Sequence, residues 1–253
     1  MTCWMTRKLF VIPDVHGRCF WKSVKDRVKS DPSCTIVFLG DYLDPYFPEG
    51  IDFQKALENF KEIIAFKKEN PDAVVLLVGN HDIHYIDGDY GCSRFNRTFA
   101  KEAKKLFNDN RDLFQLAYLW KGEKKQVLCT HAGISQGWIR ANMLEKWFDT
   151  PEHASQYLNE ALLNIDSHPV VGSCINGVGF SRGGYLPEGG PLWCDVKEWK
   201  SVESWKDTIQ VFGHTQQLYT GDIKVVGDGQ GFCCDSRKAF EYNEDEKKLV
   251  PIE

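Results

Sequence analysis

Residues 36–46 read IVFLGDYLDPY. The apolar run from Ile36 to Leu39 stops at Gly40, and two carboxylates follow, Asp41 and Asp44. A run that is apolar at every position belongs to a strand buried on both faces. Such a strand does not tolerate charge, so acids at its end need partners. Those partners, and the rigid Pro45 directly after Asp44, are what the remainder of the chain has to account for.

The pattern repeats. Short apolar runs occur at Leu9–Pro13, Thr35–Leu39, Ala73–Val78, Gln126–Cys129, Ile209–Phe212 and Gly231–Cys234, with a further strand-like piece at Ile223–Val226. All are rich in Val, Ile, Leu or Phe, as strands of a covered sheet should be. Between them lie helical patterns. Phe53, Ala56, Leu57, Phe60, Ile63 and Ile64 recur at helical spacing behind an N-cap at Asp52. Phe95, Phe99, Leu106 and Phe107 mark a second helix, and Thr150-Pro151-Glu152 starts a third that reaches Leu162 and Leu163. The stretch at about 173–195 is different. Gly172, Gly177, Gly179, Gly183, Gly184, Gly189 and Gly190 make it a long irregular excursion, the kind of loop that tends to carry function. With no internal repeat and no low-complexity linker, the pattern predicts one α/β domain over residues 1–253.

Composition narrows the function. The chain has 253 residues, 42% hydrophobic and 26% charged, with a formal net charge of -5. An acidic surface argues against general nucleic-acid or anionic-membrane binding, but it leaves room for phosphate at a locally positive site. No run approaches a membrane span, and the first residues show no signal-peptide pattern. Nine cysteines without any CxxC pair read as reduced thiols, several of them small core residues, in a cytoplasmic protein.

The chemistry collects where the runs end. The first is followed by Asp14 and His16 in IPDVHG, the second by Asp41 and Asp44. The third gives Asn80, His81 and Asp82 in LLVGNHD, the fourth His131 in LCTHAG and the fifth His214 in VFGHTQ. In open α/β sheets the strand ends form the binding crevice. One His or Asp at such a place is ordinarily a hydrogen-bonded structural residue or a turn cap. Their recurrence at successive strand ends points to metal, and oxygen ligands mixed with imidazole suit Mn, Fe, Zn or Mg.

The series DVHG, GDYLD, GNHD, THAG and FGHT, in that order, resembles the calcineurin-like metallophosphoesterases, and within them the branch of serine/threonine protein phosphatases and symmetrical diadenosine-tetraphosphate hydrolases. The resemblance implies a four-layer α/β/β/α sandwich with two divalent metals, manganese first among them, in a cleft above the sheets. It implies Asp14 and His16 on the first metal, Asp41 bridging both, and Asn80, His131 and His214 completing the second. Two metals roughly 3.5–4 Å apart would lower the pKa of bound water and present a bridging hydroxide as nucleophile. By the same resemblance His81 protonates the leaving oxygen, and Asp44 hydrogen-bonds His81 and favours its protonated form.

The sequence also departs from that pattern. An Arg that grips the substrate phosphate ordinarily follows the second Asp of GDxxD, and here Pro45 stands in its place. Proline cannot imitate a guanidinium that bridges two phosphate oxygens. The replacements available are Arg18, Arg94, Arg97 and Arg182, the last inside the glycine-rich excursion, which could fold over the cleft. Gln216 occupies the position of the second His of GHxH, so a water-rich first metal is expected.

The leading expectation is therefore a dimetal phosphomonoesterase acting on phosphoserine or phosphothreonine in proteins, or on a small phosphate ester. A dinucleoside polyphosphate hydrolase or cyclic-nucleotide phosphodiesterase is the alternative. A metal-stabilised binding module without catalysis would need the ligands but not the acid pair His81 and Asp44.

Overall fold

In a computed structural model of the chain, the described residues are 7–87, 92–164, 174–199, 205, 207–218 and 222–252. The run quoted above forms β2 (Cys34–Phe38), which lies between β1 (Lys8–Ile12) and β3 (Val74–Leu77) and is parallel to both. The short β4 (Phe114–Gln115) extends this sheet on one side. On the other, β10 (Phe240–Asn243) pairs antiparallel with β1, and β11 (Lys248–Pro251) closes the edge. The second sheet has the order β5 (Ala117–Lys121), β6 (Gln126–Thr130), β7 (Thr208–Gln216), β9 (Gly231–Asp235) and β8 (Lys224–Val226). Within it β6, β7 and β9 run parallel.

Alternation along each strand builds two cores. Leu9, Val11, Val37, Leu39, Val75 and Leu77 meet Val127, Cys129, Ile209, Val211, Phe232 and Cys234 between the sheets. The alternate residues, among them Phe10, Ile12, Ile36, Phe38 and Leu76, face the helices. Both faces are dry, which is why the strands read as unbroken apolar runs and not as an alternation of polar and apolar residues.

Helices α2 (Phe53–Glu69), α3 (Asn80–Asp87) and α4 (Ala100–Asn108) cover the first sheet, preceded in the chain by a single turn, α1 (Arg27–Ser30). The expected N-cap is present: Asp52 accepts the N–H of Lys55 at 2.8 Å. Phe60 of α2 stacks on Tyr42 with ring centroids 4.7 Å apart. Helices α5 (Gln136–Ala141) and α6 (Pro151–Leu163) lie on the second sheet together with the irregular stretch 174–199, whose Trp199 stacks on Phe212 at 4.9 Å. Asn159 of α6 is tied to β5 through the N–H and carbonyl of Ala117. The architecture is thus the four-layer α/β/β/α sandwich. No helix among the described residues is long and apolar enough to cross a membrane.

The elements that the sequence reading did not anticipate are α1, α3, α5, β4, β5 and the edge pair β10 and β11. Helix α3 begins inside the GNHD motif and spans NHDIHYID, too short and too polar to show a hydrophobic period. Strand β7 continues past Phe212 as far as Gln216, with a register shift against β9 where Gly213 and His214 leave the ladder. Of the glycine-rich excursion, Gly172 and Ser173 lie outside the described residues. The remainder is pinned by backbone bonds such as Gly190 N–H to the Gly177 carbonyl at 2.9 Å.

Candidate metal centre

The loops after β1 and β2 are zipped together. The N–H groups of Val15, His16 and Gly17 donate to the carbonyls of Gly40, Asp41 and Tyr42. His16, Asp41 and Asp44 all have positive φ, at 44°, 54° and 58°, and His214 joins them at 67°. A left-handed backbone at non-glycine residues costs about 1–3 kcal/mol each and persists only where the surroundings enforce it. Here it turns each side chain into the cleft. Gly40 has φ of 103°, and a Cβ there would stand 2.4 Å from the backbone nitrogen of Gly79, so only glycine lets the two loops approach.

Asp82, to which the sequence reading gave no role, supplies the other clamp. Its Oδ2 accepts the N–H of Asp41 at 2.7 Å and of Gly79 at 2.8 Å, and its Oδ1 accepts the N–H of Tyr42 at 3.0 Å. The residue is fully buried, and burial together with the nearby Asp41 charge pushes its pKa up.

Around Asp41 the expected ligands converge. Oδ2 lies 3.4 Å from His16 Nε2, and Oδ1 lies 3.7 Å from His131 Nε2, so the two carboxylate oxygens face two different imidazoles. His131 Nε2 is 2.8 Å from Asn80 Oδ1 and 3.2 Å from His214 Nδ1, while Asn80 Oδ1 is 2.9 Å from His214 Nδ1. Asp14 accepts the backbone N–H of His214 on both oxygens, at 2.9 and 3.0 Å. That approach needs Gly213, because a Cβ there would fall 1.9 Å from Asp14 Oδ2.

The outer nitrogens fix the tautomers. His16 Nδ1 donates to the Leu43 carbonyl and His131 Nδ1 to the Leu39 carbonyl, each at 2.8 Å. In both rings the lone pair on Nε2 is left aimed at the cleft, as a metal ligand requires. Burial also holds His16 and His214 neutral, their pKa values pushed well below the usual range. For Asp41 the net shift is downward: burial opposes it, while the surrounding imidazoles and the His81 backbone N–H favour the carboxylate. Imidazoles, an amide oxygen and carboxylates packed together form a set that divalent cations fit. The groups Asp14–Asp41–His131 and His16–Asp41–His81 each bring their atoms within 4.8 Å, and they share Asp41.

Beside this cluster, His81 Nδ1 donates to Asp44 Oδ2 at 2.8 Å. The other oxygen of Asp44 accepts the Tyr85 hydroxyl at 2.5 Å. Tyr85 follows His81 by four residues on α3, so both reach Asp44 from one helical face. Burial pushes the His81 pKa down, but Asp41 and the Asp44 bond outweigh it, and the net shift is upward.

The four arginines separate. Arg94, with φ of 66°, donates from Nε to the Asp44 carbonyl at 3.0 Å and sets Nη2 3.3 Å from His81 Nε2. Its guanidinium lies 3.8 Å from the centre of the Tyr46 ring. A cation therefore stands beside the backbone of Asp44, one residue before Pro45. Arg182 also lines the cleft, held 2.8 Å from Asp195 Oδ2. Arg18 does not: its guanidinium is spent on Glu49 at 2.6 and 2.8 Å. Arg97 is exposed and is not among the residues that line the cleft. Tyr46, Trp193 and Asp235 complete a cleft of about 180 Å³ with all the expected ligands but His131, and Gln216 lies outside that lining, donating to the Tyr46 hydroxyl.

Residues 7–218 match the calcineurin-like phosphoesterase family, and the chain belongs to it. Among curated relatives it is 23% identical, over 66% of its length, to a protein of Encephalitozoon cuniculi named "Probable serine/threonine-protein phosphatase". It is 34% identical over 42% of its length to a serine/threonine-protein phosphatase of Caenorhabditis elegans. The chain spans 35% and 22% of the lengths of these two relatives. Among solved structures, a cold-active protein tyrosine phosphatase superposes with a TM-score of 0.57 at 16% identity, covering 98% of this chain and 79% of that one.

Proposed function

We propose that this chain is a metal-dependent phosphomonoesterase whose substrate is a phosphoserine or phosphothreonine side chain, or a small phosphate ester of similar leaving group. The observation that carries the reading is the His81–Asp44 pair, with His81 drawn close to Asp41, the carboxylate that two donor groups share. A scaffold that only bound metal would have no use for a buried acid pair. The serine/threonine phosphatase names of both curated relatives support the same substrate class.

Two divalent cations, manganese in our reading, would be held by Asp14, His16 and Asp41 on one side and by Asp41, Asn80, His131 and His214 on the other, and they supply Lewis acidity and a water of lowered pKa. Each remaining role falls to a side chain. Arg94 and Arg182 hold phosphate oxygens and take the place of the guanidinium that Pro45 excludes. His81 presents its Nε2 proton to the departing alkoxide. Asp44 keeps Nδ1 protonated and orients the ring, with Tyr85 fixing the carboxylate in turn. Tyr46 and Trp193 wall the cleft and keep Arg94 and His214 in place.

The test is hydrolysis by the manganese-loaded protein of p-nitrophenyl phosphate, bis-p-nitrophenyl phosphate, a phosphothreonine peptide and diadenosine tetraphosphate. Asp41→Asn serves as the control for contaminating activity, and His81→Ala as the control for the acid step with the peptide. Turnover of the monoester and peptide that disappears in Asp41→Asn is expected. Preference for the diester or the dinucleotide would overturn the proposal.

A further inference from the structure

Behind the proposed acid stands a third polar atom that the reaction does not use. Cys92 Sγ lies 3.0 Å from His81 Nδ1 and 3.4 Å from Asp44 Oδ2, while those two atoms are 2.8 Å apart. The three donor atoms fall within 4.8 Å of one another. His81 and Asp44 are buried, but the cysteine is only half-buried, so the trio can be reached from solvent.

This donor set differs in kind from the one around Asp41. Sulfur, imidazole nitrogen and a single carboxylate oxygen select zinc or cadmium, whereas oxygen-rich sites suit manganese and magnesium. Zinc bonds of about 2.0 Å to nitrogen and oxygen and about 2.3 Å to sulfur place the ligands of a tetrahedral ion about 3.3–3.6 Å apart. The sulfur–oxygen distance is already in that range at 3.4 Å. The two contacts of His81 need to open by about half an ångström, a small side-chain adjustment.

We propose that Asp44, His81 and Cys92 form a second metal site that takes zinc and thereby switches off the acid. This rests on the reading of His81 as the proton donor. Zinc accepts the Nδ1 lone pair of His81, a thiolate pair of Cys92 and an Asp44 oxygen, and water fills the fourth position. Two protons leave to solvent, one from the thiol and one from Nδ1. Asp44 then holds the metal and no longer the imidazole. With Nδ1 occupied, the imidazolium cannot form, and the neutral ring that remains is a much weaker acid at Nε2. The loss should bear on alkoxide leaving groups and spare p-nitrophenolate, which departs without a proton.

The experiment titrates manganese-loaded protein with cadmium and follows the ultraviolet thiolate-to-metal absorption band. In parallel, zinc inhibition is measured with a phosphothreonine peptide and with p-nitrophenyl phosphate. The band should saturate near one equivalent, and zinc should depress peptide hydrolysis well before it affects the aryl ester. Cys92→Ser and Cys92→Ala should lose the band, keep their manganese-supported activity, and need about tenfold more zinc for the same inhibition. An absent band, a band that survives both substitutions, or unchanged zinc sensitivity would overturn the site, the last because zinc would then be acting around Asp41. A band in a protein whose His81→Ala variant turns over peptide as fast as the parent would keep the site and overturn its inhibitory role. The acid reading and the metal site thus fail by different signs.

Discussion

The carboxylate of Asp44 is completely buried, and its Oδ2 lies 2.8 Å from Nδ1 of His81. A buried carboxylate in that position is a fixed negative charge against one side of the imidazole, and it stabilises the ring chiefly in its protonated form.

The pH dependence follows from that sign. His81 has a raised pKa, so this proposed donor is fully protonated below its usual range and is lost as pH climbs through the raised value. Turnover of poor leaving groups should therefore fall on the alkaline side. Asp44→Asn should move that limb to lower pH and reduce peptide turnover by about 10²-fold, with a much smaller effect on p-nitrophenyl phosphate. Rate profiles for the two substrates decide it, and an unmoved alkaline limb would count against His81 as the donor.

Gly213→Ala tests the approach of β7 to Asp14. The added methyl would fall 1.9 Å from Asp14 Oδ2, so the carboxylate must swing away. Manganese affinity should weaken by about 10–100-fold while the far-ultraviolet circular dichroism stays unchanged. Calorimetric titration with manganese measures it.

Asp82→Asn probes the clamp between the two central loops. The carboxylate accepts the N–H groups of Asp41, Tyr42 and Gly79, and an amide would turn a donor toward at least one of them. Leaving such groups unpaired in a buried place costs about 1–3 kcal/mol. Urea denaturation of the metal-free protein should show a loss of that size, and a neutral result would show that water takes over the bonds.

Arg94→Lys separates charge from shape. An ammonium retains the charge but cannot donate to the Asp44 carbonyl and to phosphate with one planar fork. Arg94→Ala should raise KM and weaken inhibition by inorganic phosphate about tenfold or more, and Lys should restore only part of the loss. Full rescue by Lys would mean that the guanidinium geometry is irrelevant.

How much of this was legible in the sequence depended on chain distance. The strands of the two dry faces announced themselves as apolar runs, and Asp14, Asp41, Asn80, His131 and His214 stood directly after them, so their convergence at the strand ends was readable by position. Tyr85 was within reach of the same reasoning, since a buried carboxylate has two oxygens to satisfy and Tyr85 stands one helical turn from His81. Arg94 was harder to separate from Arg18 and Arg97. It meets the Asp44 carbonyl across 50 residues of sequence, and only the positive φ at Arg94 aims it there. Arg18 looked as promising from its place after DVHG, but an acid 31 residues away, Glu49, claims it. The strands β10 and β11 went unread because a short edge pair with one wet face leaves few apolar positions to notice.

The bond from the His214 N–H to Asp14 joins positions 200 residues apart. A nascent chain would display DVHG, GDYLD and GNHD at the ribosome long before His214 had been translated, and until then the Asp14 carboxylate lacks the N–H that closes it. If the proposed centre takes its metals through these residues, loading would be a late event of biosynthesis, complete only once synthesis has passed His214.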